Sequence, residues 1–382
     1  MDQLIDKDSP AAPFAPAPAP EPLPAAAPLA PTFSGSGAEY FRIWVVNLLL
    51  SVATLGIYSA WAKTRRLQYF YRNTQLAGAS FDFRGKPKAI LRGRLLAVAL
   101  VVAYQYAFGF SRTTGLAVVG LLLLGLPFMM RSALRFRLSN TWYRGLPFGF
   151  DGGLAGAYAV YLPPVALVLL PGVLAALGVD PRLIGAFFLL YLCWPLLHGA
   201  MKRYQHSHLM VGDQKADFPL SFGRLALPYL HAFLLGLAAM VVFVAVVALT
   251  AGIAGKGSAA GMVTMVVAIG LLYLSFLLLG PFVLVRMNNR AWSATAFPGV
   301  RIDSHMTVRG YLKLQVVNVL LTLLTLGLFR PFAAVRTWRY RIAHLHIDAP
   351  DGFEQATRNV QRRPDNAAGD GVADFLGVDL SW

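Results

Sequence analysis

The chain alternates between long apolar runs and shorter polar or basic segments. A membrane-spanning helix needs about 17–25 mostly apolar residues. Six runs reach this length or fall one residue short of it, at residues 94–110, 115–130, 155–177, 182–200, 229–253 and 261–285. Short turns join them in pairs, and longer basic connectors separate the pairs. The pattern therefore predicts three membrane-spanning helical hairpins.

Two further apolar runs, one near each end of the chain, carry nearly the same letters. Residues 45–56 read VVNLLLSVATLG and residues 316–327 read VVNVLLTLLTLG, and a basic stretch follows each copy. If both copies crossed the bilayer once, the basic stretch after the second would lie outside. One interpretation is that each copy bends at Thr-Leu-Gly, where glycine tolerates a turn, and leaves on the side it entered. The alternative, two ordinary spans with both tails outside, stays open for 43–62 and 314–329.

Polar residues recur at matching positions within these copies. Asn47 aligns with Asn318, and Thr54 aligns with Thr325. An amide inside an apolar helix needs a hydrogen-bond partner, which a neighbouring helix usually provides. The four residues form either a structural polar core or a substrate-facing pair of sites. We expect the copies to pack about a pseudo-two-fold axis, so that Asn47→Leu and Asn318→Leu lower stability by similar amounts.

Arginines and aromatic residues follow each copy. Arg65 and Arg66 lie in RRLQYFYR, and Arg336 and Arg339 lie in RTWRYR. Aromatic rings favour the membrane interface, and basic side chains there can meet anionic lipid headgroups. The simpler alternative is general anchoring by positive charge, with no specific lipid.

The basic connectors contain a second repeat. NTQLAGASFDF at 73–83 matches NTWYRGLPFGF at 140–150 in five letters at identical spacing, and SHLMVGDQKADF at 207–218 is a weaker copy. Alternating phenylalanines place their rings on one face of a strand. We expect Phe81, Phe83, Phe148 and Phe150 to lie in a small sheet that caps the cytoplasmic side.

Composition agrees with a membrane protein. The chain is 57% hydrophobic and 14% charged, with a formal net charge of +16. Twenty-one lysines and arginines lie in the connectors at 63–94, 131–153, 200–228 and 286–310, and three lie in the tight turns. Positive charge next to membrane spans marks the cytoplasmic side, so membrane lipids, and not nucleic acid, are the expected partners. Whether the chain forms a homo-oligomer stays open.

The outer segments differ from the apolar centre. Residues 1–32 are rich in proline and alanine, and lack the basic and apolar regions of a signal peptide. We expect this tail to be disordered, followed by a single membrane domain at 33–348 and a polar tail at 349–382. The single cysteine, Cys193, lies in an apolar run and is expected to be a buried structural thiol.

Few residues indicate chemistry. Two His-x-His pairs, His206/His208 and His344/His346, have no cysteine nearby or carboxylates at ligand spacing, so no metal is expected. The six predicted spans contain no Asp or Glu, which counts against a proton- or sodium-coupled carrier. Glycine-rich stretches lack the spacing of a nucleotide-binding loop. We therefore expect no enzyme activity and no cofactor.

The repeated ends resemble a known family. FSGSGAEYFRIWVVNLLLSVATLGIYSAWAKTRRLQYFYRNTQLAGASFDFRG and VVNVLLTLLTLGLFRPFAAVRTWRY are similar to the YjgN-type family of bacterial inner-membrane proteins, which has no assigned molecular function. The resemblance extends over roughly 33–350. It implies a multi-pass protein of the cytoplasmic membrane and supplies no catalytic residues. The second copy departs from the pattern, with Phe332 where tryptophan is expected.

Together these observations predict an all-α polytopic membrane protein. Three helical hairpins, two repeated terminal segments and short amphipathic strands in the cytoplasmic connectors make up the expected fold. The function that fits best is permease-like, for a small or amphipathic solute. A non-transporting membrane scaffold or lipid-interacting envelope protein is the alternative, and a polar cavity rather than a solid apolar core would distinguish the first from the second.

The charge bias predicts that both tails and all basic connectors face the cytoplasm. A fluorescent protein fused after Arg341 should fluoresce, and alkaline phosphatase fused at the same residue should be inactive. A fusion after Arg112, in a tight turn, should give the opposite result. Phosphatase activity after Arg341 would contradict the predicted topology.

Overall fold

Helices account for most of the chain in the computed structural model, which describes residues 28–254 and 258–349. The first half contains α1 Gly37–Ala53, α2 Ser59–Arg72, α3 Pro87–Phe110, α4 Arg112–Ser139 and α5 Leu154–Ala176. The second half contains α6 Pro181–Phe187, a 3-10 helix Phe188–Cys193, α7 Trp194–Ser207, α8 Phe222–Ala254, α9 Ala259–Ser293, α10 Val308–Leu324 and α11 Arg330–Ala343.

Six helical stretches are long and apolar enough to cross a membrane. They are Pro87–Phe110, Arg112–Ser139, Leu154–Ala176, Pro181–Ser207, Phe222–Thr250 and Ala259–Ser293. Each contains most or all of one apolar run predicted from the sequence. The structure is therefore that of a polytopic, mainly helical membrane protein.

Short strands occupy the connections between the helical hairpins and the segments before α1 and after α11. They are β1 Thr32–Phe33, β2 Thr74–Leu76, β3 Ala79–Phe83, β4 Thr141–Tyr143, β5 Leu146–Phe150, β6 Leu209–Val211, β7 Gln214–Lys215, β8 Ala296–Phe297, β9 Val300–Ser304 and β10 Leu345–Asp348. All pairings are antiparallel, and β1 to β7 pair in chain order. β8, β9 and β10 form a second sheet.

Two bridges join these sheets into a closed ring. Asp217, after β7, exchanges backbone hydrogen bonds of 2.7 and 3.0 Å with Ala296 in β8. Leu29, before β1, exchanges two of 2.8 Å with Ile347 in β10. The ring therefore joins the beginning of the described chain to its end, through bridging residues that lie two or three positions outside β1 and β7.

The ring consists of five similar strand pairs. Four are hairpins with two-residue turns: β2–β3, β4–β5, β6–β7 and β8–β9. At Ala77-Gly78 and Arg144-Gly145 both turn residues have φ between 46° and 78°, which is the hairpin turn that matches strand twist. The fifth pair, β10 with the segment at Leu29, has its two strands at opposite ends of the chain.

One backbone hydrogen bond repeats at the joints between these pairs. The residue after a strand donates its N–H to the carbonyl of the residue that ends the returning helix of the following hairpin. The four examples are Ser34 to Asn73 at 2.9 Å, Arg84 to Asn140 at 2.9 Å, Asp151 to His208 at 3.0 Å and His305 to His344 at 2.9 Å. The chain is thus built from five related units, each an incoming helix, a strand pair and an outgoing helix.

The helices form a ring above the strands. Around it, α1 packs on α2, then α3, α4, α5, α7, α8, α9, α10 and α11 follow, and α11 packs on α1. Both terminal copies are therefore helical hairpins that leave the strand ring and return to it. The second helix of the C-terminal copy, α11, packs on the first helix of the N-terminal copy, α1. One copy therefore follows the other around a ring of five units. The expected pseudo-two-fold packing is wrong.

The strand ring encloses an apolar core contributed by several units. Leu76, Tyr143 and Ile347 are buried there. Leu29, Ala77, Ala79, Phe81, Phe148 and Val300 pack against them. Leu29 and Thr32 thus belong to the folded ring, although they fall within the tail predicted to be disordered at 1–32. The rest of that tail, 1–27, and residues 350–382 of the tail predicted at 349–382 lie outside the described residues.

Cys193 is exposed, so the expectation of a buried thiol is wrong. It ends the 3-10 helix Phe188–Cys193, in which no residue is buried. This part of the fourth span has few protein neighbours, and its apolar side chains suit lipid.

Closure of the strand ring gives a test of the fold. Ile347→Asp should lower the melting temperature by several degrees or prevent folding, because it buries a carboxylate among Leu76 and Tyr143 without a partner. Asp348→Asn, at the exposed neighbouring position, is the matched control and should have little effect. Equal melting temperatures for Ile347→Asp and wild type in detergent would contradict a closed ring.

Candidate functional site

A groove between α8 and α9 combines basic and apolar side chains. Its volume is about 360 Å³, and it is lined by His231, Leu234, Leu235, Phe282, Arg286 and Arg290. Small-molecule sites commonly have about 300–1,000 Å³. The groove is therefore large enough for a small organic ligand.

The two kinds of side chain are separated along the helices. Arg286 and Arg290 lie on the last turns of α9, which ends at Ser293 next to the strands. Arg290 donates from Nη1 to the carbonyl of Arg224 at 3.1 Å, which fixes it across the start of α8. Phe282 and the leucines lie farther from the strand ring. The groove thus presents positive charge at the ring end and an apolar wall toward the membrane interior, which suits an amphipathic anion.

The two asparagines of the terminal copies are both buried, with 6% exposure at Asn47 and 3% at Asn318. Asn318 donates from Nδ2 to the Thr337 hydroxyl at 3.2 Å and lies 3.5 Å from the Ala333 carbonyl oxygen. This joins α10 to α11 within one hairpin. The Oδ1 atoms of both asparagines accept no hydrogen bond from the described residues. The structure therefore places the two amides in separate hairpins, and it bonds Asn318 to its own returning helix, α11.

Thr54 and Thr325 form the bends of the two hairpins. Each hydroxyl donates to the carbonyl four residues earlier, Leu50 at 2.8 Å and Leu321 at 2.7 Å. Each also accepts from the backbone N–H four residues later, at 2.9 Å in both copies. The leucine and glycine after each threonine have positive φ, from 50° to 94°. The Thr-Leu-Gly sequence thus reverses the chain, as glycine permits.

The four arginines proposed to meet lipid headgroups differ in their contacts. Arg65 lies 5.9 Å from the Tyr58 ring, Arg66 lies 5.9 Å from the Phe70 ring and Arg336 lies 5.9 Å from the Phe329 ring. Arg339 instead donates from Nη2 to the Gly35 carbonyl at 2.8 Å. Its guanidinium therefore joins the C-terminal hairpin to the chain just before α1, while the other three stand beside aromatic rings.

The histidine pairs have a structural explanation. His208 Nδ1 lies 2.9 Å from the Tyr204 carbonyl oxygen, and His344 Nδ1 lies 2.8 Å from that of Tyr340. Asn73 and Asn140 make the same bond to the residue four before them, at 2.8 Å each. These residues all end helices, where carbonyl groups lack partners within the helix. Among the described residues, no three His, Cys, Asp or Glu side chains gather as a metal site.

The remaining polar side chains of the apolar helices differ in their surroundings. Gln105 and His231 are exposed, whereas His198 Nδ1 lies 2.8 Å from the Tyr229 hydroxyl. His206 is buried with Nδ1 2.9 Å from the Thr295 hydroxyl. Sequence reasoning placed His231 in a span but missed its proximity to Arg286 and Arg290. The only signal was that these arginines are one helical turn apart at the end of an apolar run.

A helical ring on a strand ring, with six membrane-capable helices, defines a multi-pass membrane protein. The family of bacterial proteins of unknown function DUF898 matches residues 28–375, and the chain belongs to this family. It is 32% identical over 141 residues to the inner membrane protein YjgN of Salmonella typhimurium, and 33% identical over 139 residues to YjgN of Escherichia coli K12.

These alignments are partial. They cover 36% of this chain and 36% of the Salmonella protein, and 34% of each chain in the Escherichia coli K12 comparison. The chain therefore spans about a third of the length of the curated relatives it matches. No solved structure matches it significantly. Taken with the six apolar helices, these relatives identify a multi-pass protein of the bacterial inner membrane.

The unequal surroundings of the two asparagines change the expected effect of substitution. Asn318→Leu should lower the free energy of unfolding by about 1–2 kcal/mol, because it removes the hydrogen bond to Thr337 and leaves that hydroxyl in an apolar setting. Asn47→Leu should cost less, since the position equivalent to Thr337 is occupied by the exposed Arg66.

Melting in detergent of both variants and of the double variant Asn318→Leu/Thr337→Val measures this difference. The double variant should recover part of the loss, because both partners of the bond are then apolar. Equal losses for Asn47→Leu and Asn318→Leu would contradict the assigned bond.

Proposed function

We propose that this protein is a non-enzymatic, permease-like protein for amphipathic anions in the bacterial inner membrane. The groove between α8 and α9 is the observation that carries the proposal. A ligand with an anionic head and an apolar body would place its head at Arg286 and Arg290 and its body along Leu234, Leu235 and Phe282. Arginine favours phosphate and carboxylate because its guanidinium donates in a planar fork.

The distribution of charge supports an orientation with the strand ring in the cytoplasm. The basic connectors counted in the sequence include the strands and the helix ends that carry them. Arginine and lysine on that side follow the positive-inside rule. The groove's basic end then lies at the cytoplasmic headgroup level, and its apolar end lies in the hydrocarbon region.

The two terminal hairpins fit a re-entrant position in this orientation. α1 and α10 each have 17 residues, which is about 25 Å of helix, shorter than the roughly 30 Å hydrocarbon core. Leu55 and Leu326 at the bends are 96% and 95% exposed. Such apolar tips are favourable in lipid and unfavourable in water. Each hairpin would enter from the cytoplasmic side and return there.

A lipid-binding scaffold without transport is the second candidate. The apolar core of the strand ring supports it, because Leu76, Tyr143 and Ile347 fill the space between units at that end. A scaffold would bind the same amphipathic anions in the groove without moving them across the membrane. Transport and binding must therefore be measured separately.

Transbilayer movement distinguishes these two functions. Purified protein is reconstituted into vesicles with fluorescent short-chain phosphatidylglycerol, and dithionite bleaching reports the lipid that reaches the outer leaflet. Wild type should move the probe at least several-fold faster than protein-free vesicles. Arg286→Gln should reduce that rate, whereas Arg309→Gln, an exposed arginine at the start of α10, should retain it.

Binding is measured in parallel from the increase in melting temperature on adding phosphatidylglycerol in detergent. Binding that Arg286→Gln weakens, without faster movement, would favour the scaffold. Movement and binding that are both the same in Arg286→Gln and wild type would show that the groove is not the site.

A further inference from the structure

One position in the five related units has a different chemistry in the unit of α8 and α9 than in the other four. It lies four residues before the residue that caps the end of each returning helix. In the unit of α8 and α9 it is Arg290, since Ala294 caps that helix. In the other four units the position is aromatic, at Tyr69, Phe136, Tyr204 and Tyr340.

The tyrosines at this position connect the two helices of their hairpins. Each hydroxyl donates to the carbonyl of the residue directly before the first helix. The bonds are Tyr69 to Ser36 at 2.8 Å, Tyr204 to Gly153 at 2.9 Å and Tyr340 to Thr307 at 3.1 Å. Arg290 makes a comparable connection, because its Nη1 donates to the Arg224 carbonyl at 3.1 Å in the first turn of α8. A neutral tyrosine is therefore sufficient for this connection, and Arg290 adds a positive charge and further N–H donors.

Two further basic residues accompany Arg290 in the groove. Arg286 lies one turn earlier on α9, with its guanidinium 5.8 Å from the Phe282 ring, and His231 lines the same groove from α8. The other membrane-spanning hairpins have no basic residue at these three positions, counted from the last phenylalanine before the first helix and from the cap of the second. In the order His231, Arg286, Arg290, the equivalents are Leu96, Ser132 and Phe136 in one hairpin and Pro163, Ala200 and Tyr204 in the other.

The terminal hairpins share only part of this set. They have arginine at the position of Arg286, namely Arg65 and Arg336, but valine at that of His231 and tyrosine at that of Arg290. Among the five described units, the combination of two arginines and a histidine therefore occurs between α8 and α9 alone. Because the other units form the same backbone arrangement without it, a role outside the fold accounts for this combination best.

The basic residues lie at different depths along the groove. With a rise of about 1.5 Å per residue, Arg286 lies about 6 Å farther from the strand ring than Arg290, and Phe282 lies about 12 Å farther. His231 follows Arg224, whose carbonyl Arg290 contacts, by about 10 Å along α8. His231 therefore stands at the border between the two arginines and the apolar wall.

The charge and the donors of the groove match a phosphate with several terminal oxygens. Neither helix provides a carboxylate for these cations, because α8 and α9 contain no Asp or Glu. A phosphomonoester presents three terminal oxygens and about two negative charges near neutral pH. A phosphodiester has one terminal oxygen fewer and about half that charge. Two guanidinium groups and an imidazole match the phosphomonoester better, since each can donate to a separate oxygen.

We propose that His231, Arg286 and Arg290 make the groove selective for lipids with a phosphomonoester headgroup, such as phosphatidic acid. The phosphate lies among the three basic side chains, and an acyl chain lies along the apolar wall. The inference rests on the function proposed for the groove, and it adds the headgroup that is selected and the residues that select it. The apolar wall assigns the phosphate to a lipid, because that wall contributes to binding only when the phosphate is attached to a chain.

Competition between two lipids measures this selectivity. The full chain is placed in phosphatidylcholine nanodiscs with equal amounts of phosphatidic acid and phosphatidylglycerol, and native mass spectrometry counts each lipid that stays bound after extraction. Wild type should retain phosphatidic acid about tenfold over phosphatidylglycerol, the ratio expected for one additional charge-assisted hydrogen bond. Glycerol 3-phosphate, which has the same headgroup without acyl chains, should not displace phosphatidic acid at equal concentration. Displacement would overturn the assignment to a lipid.

The other units supply variants that the shared backbone arrangement already accommodates. Arg290→Tyr introduces the residue that the hairpin of α5 and α7 has at this position, and His231→Leu introduces the residue of the hairpin of α3 and α4. Both variants should melt within a few degrees of wild type in detergent. Both should lower the ratio of retained phosphatidic acid to phosphatidylglycerol toward one, and either folded variant alone is sufficient for the test.

The matched control is His305→Gln, because His305 is exposed, pairs with Asp303 at 2.9 Å and does not line the groove. This variant should keep the wild-type ratio, and loss of the ratio here would assign the selectivity to overall charge and overturn the proposal. Equal retention of both lipids by wild type, or a wild-type ratio in the folded groove variants, would also overturn it, while the groove would remain a site for anionic lipid. Wild-type retention of both lipids by Arg286→Gln would instead contradict the groove as the site, and with it the proposed function.

Discussion

Backbone hydrogen bonding between short strands is the interaction on which the rest of this structure depends. A strand of two to five residues has little stability alone, and an open sheet edge leaves N–H and C=O groups unpaired. Here two pairs of backbone hydrogen bonds join the edges of the two sheets. One pair links Leu29 to Ile347, and the other links Asp217 to Ala296. The ring gains mutual support because the described strands pair with their neighbours on both sides, except β1 and β7, which lie next to the bridging residues Leu29 and Asp217.

Closure of the strands also determines where the helices begin and end. Each helical hairpin starts at one strand and returns to a neighbouring one, including the short hairpins α1–α2 and α10–α11. The basic stretches after both repeated copies therefore lie on returning helices, α2 and α11, which lead back to the same strand ring. The chain ends meet within one strand pair, so the fifth unit is assembled from both termini.

The repeated units share one backbone arrangement, and equivalent positions in it can carry different side chains. Asn73, Asn140, His208 and His344 end equivalent helices with the same side-chain bond, so their chemistry is constrained by the carbonyl they meet. Tyr161 and Gln205 occupy positions where the neighbouring hairpin has Arg94 and Arg137. The shared backbone arrangement tolerates this change because it depends on backbone hydrogen bonds between the strands. The exchanged side chains lie in the helices, outside the strand ring.

The amino-acid sequence by itself determined the six membrane-capable helices, the tight turns and the repeated ends, because apolar length and glycine position act locally. It also indicated the strands, through the alternating phenylalanines at 81, 83, 148 and 150. It could not show that Leu29 pairs with Ile347, since such pairing depends on contacts between the two ends of the chain. Nor could it bring His231 to Arg286 and Arg290, because these residues lie on separate helices. Only the closed tertiary structure decided these proximities, as it fixes the rotation of each helix and its neighbours in the ring.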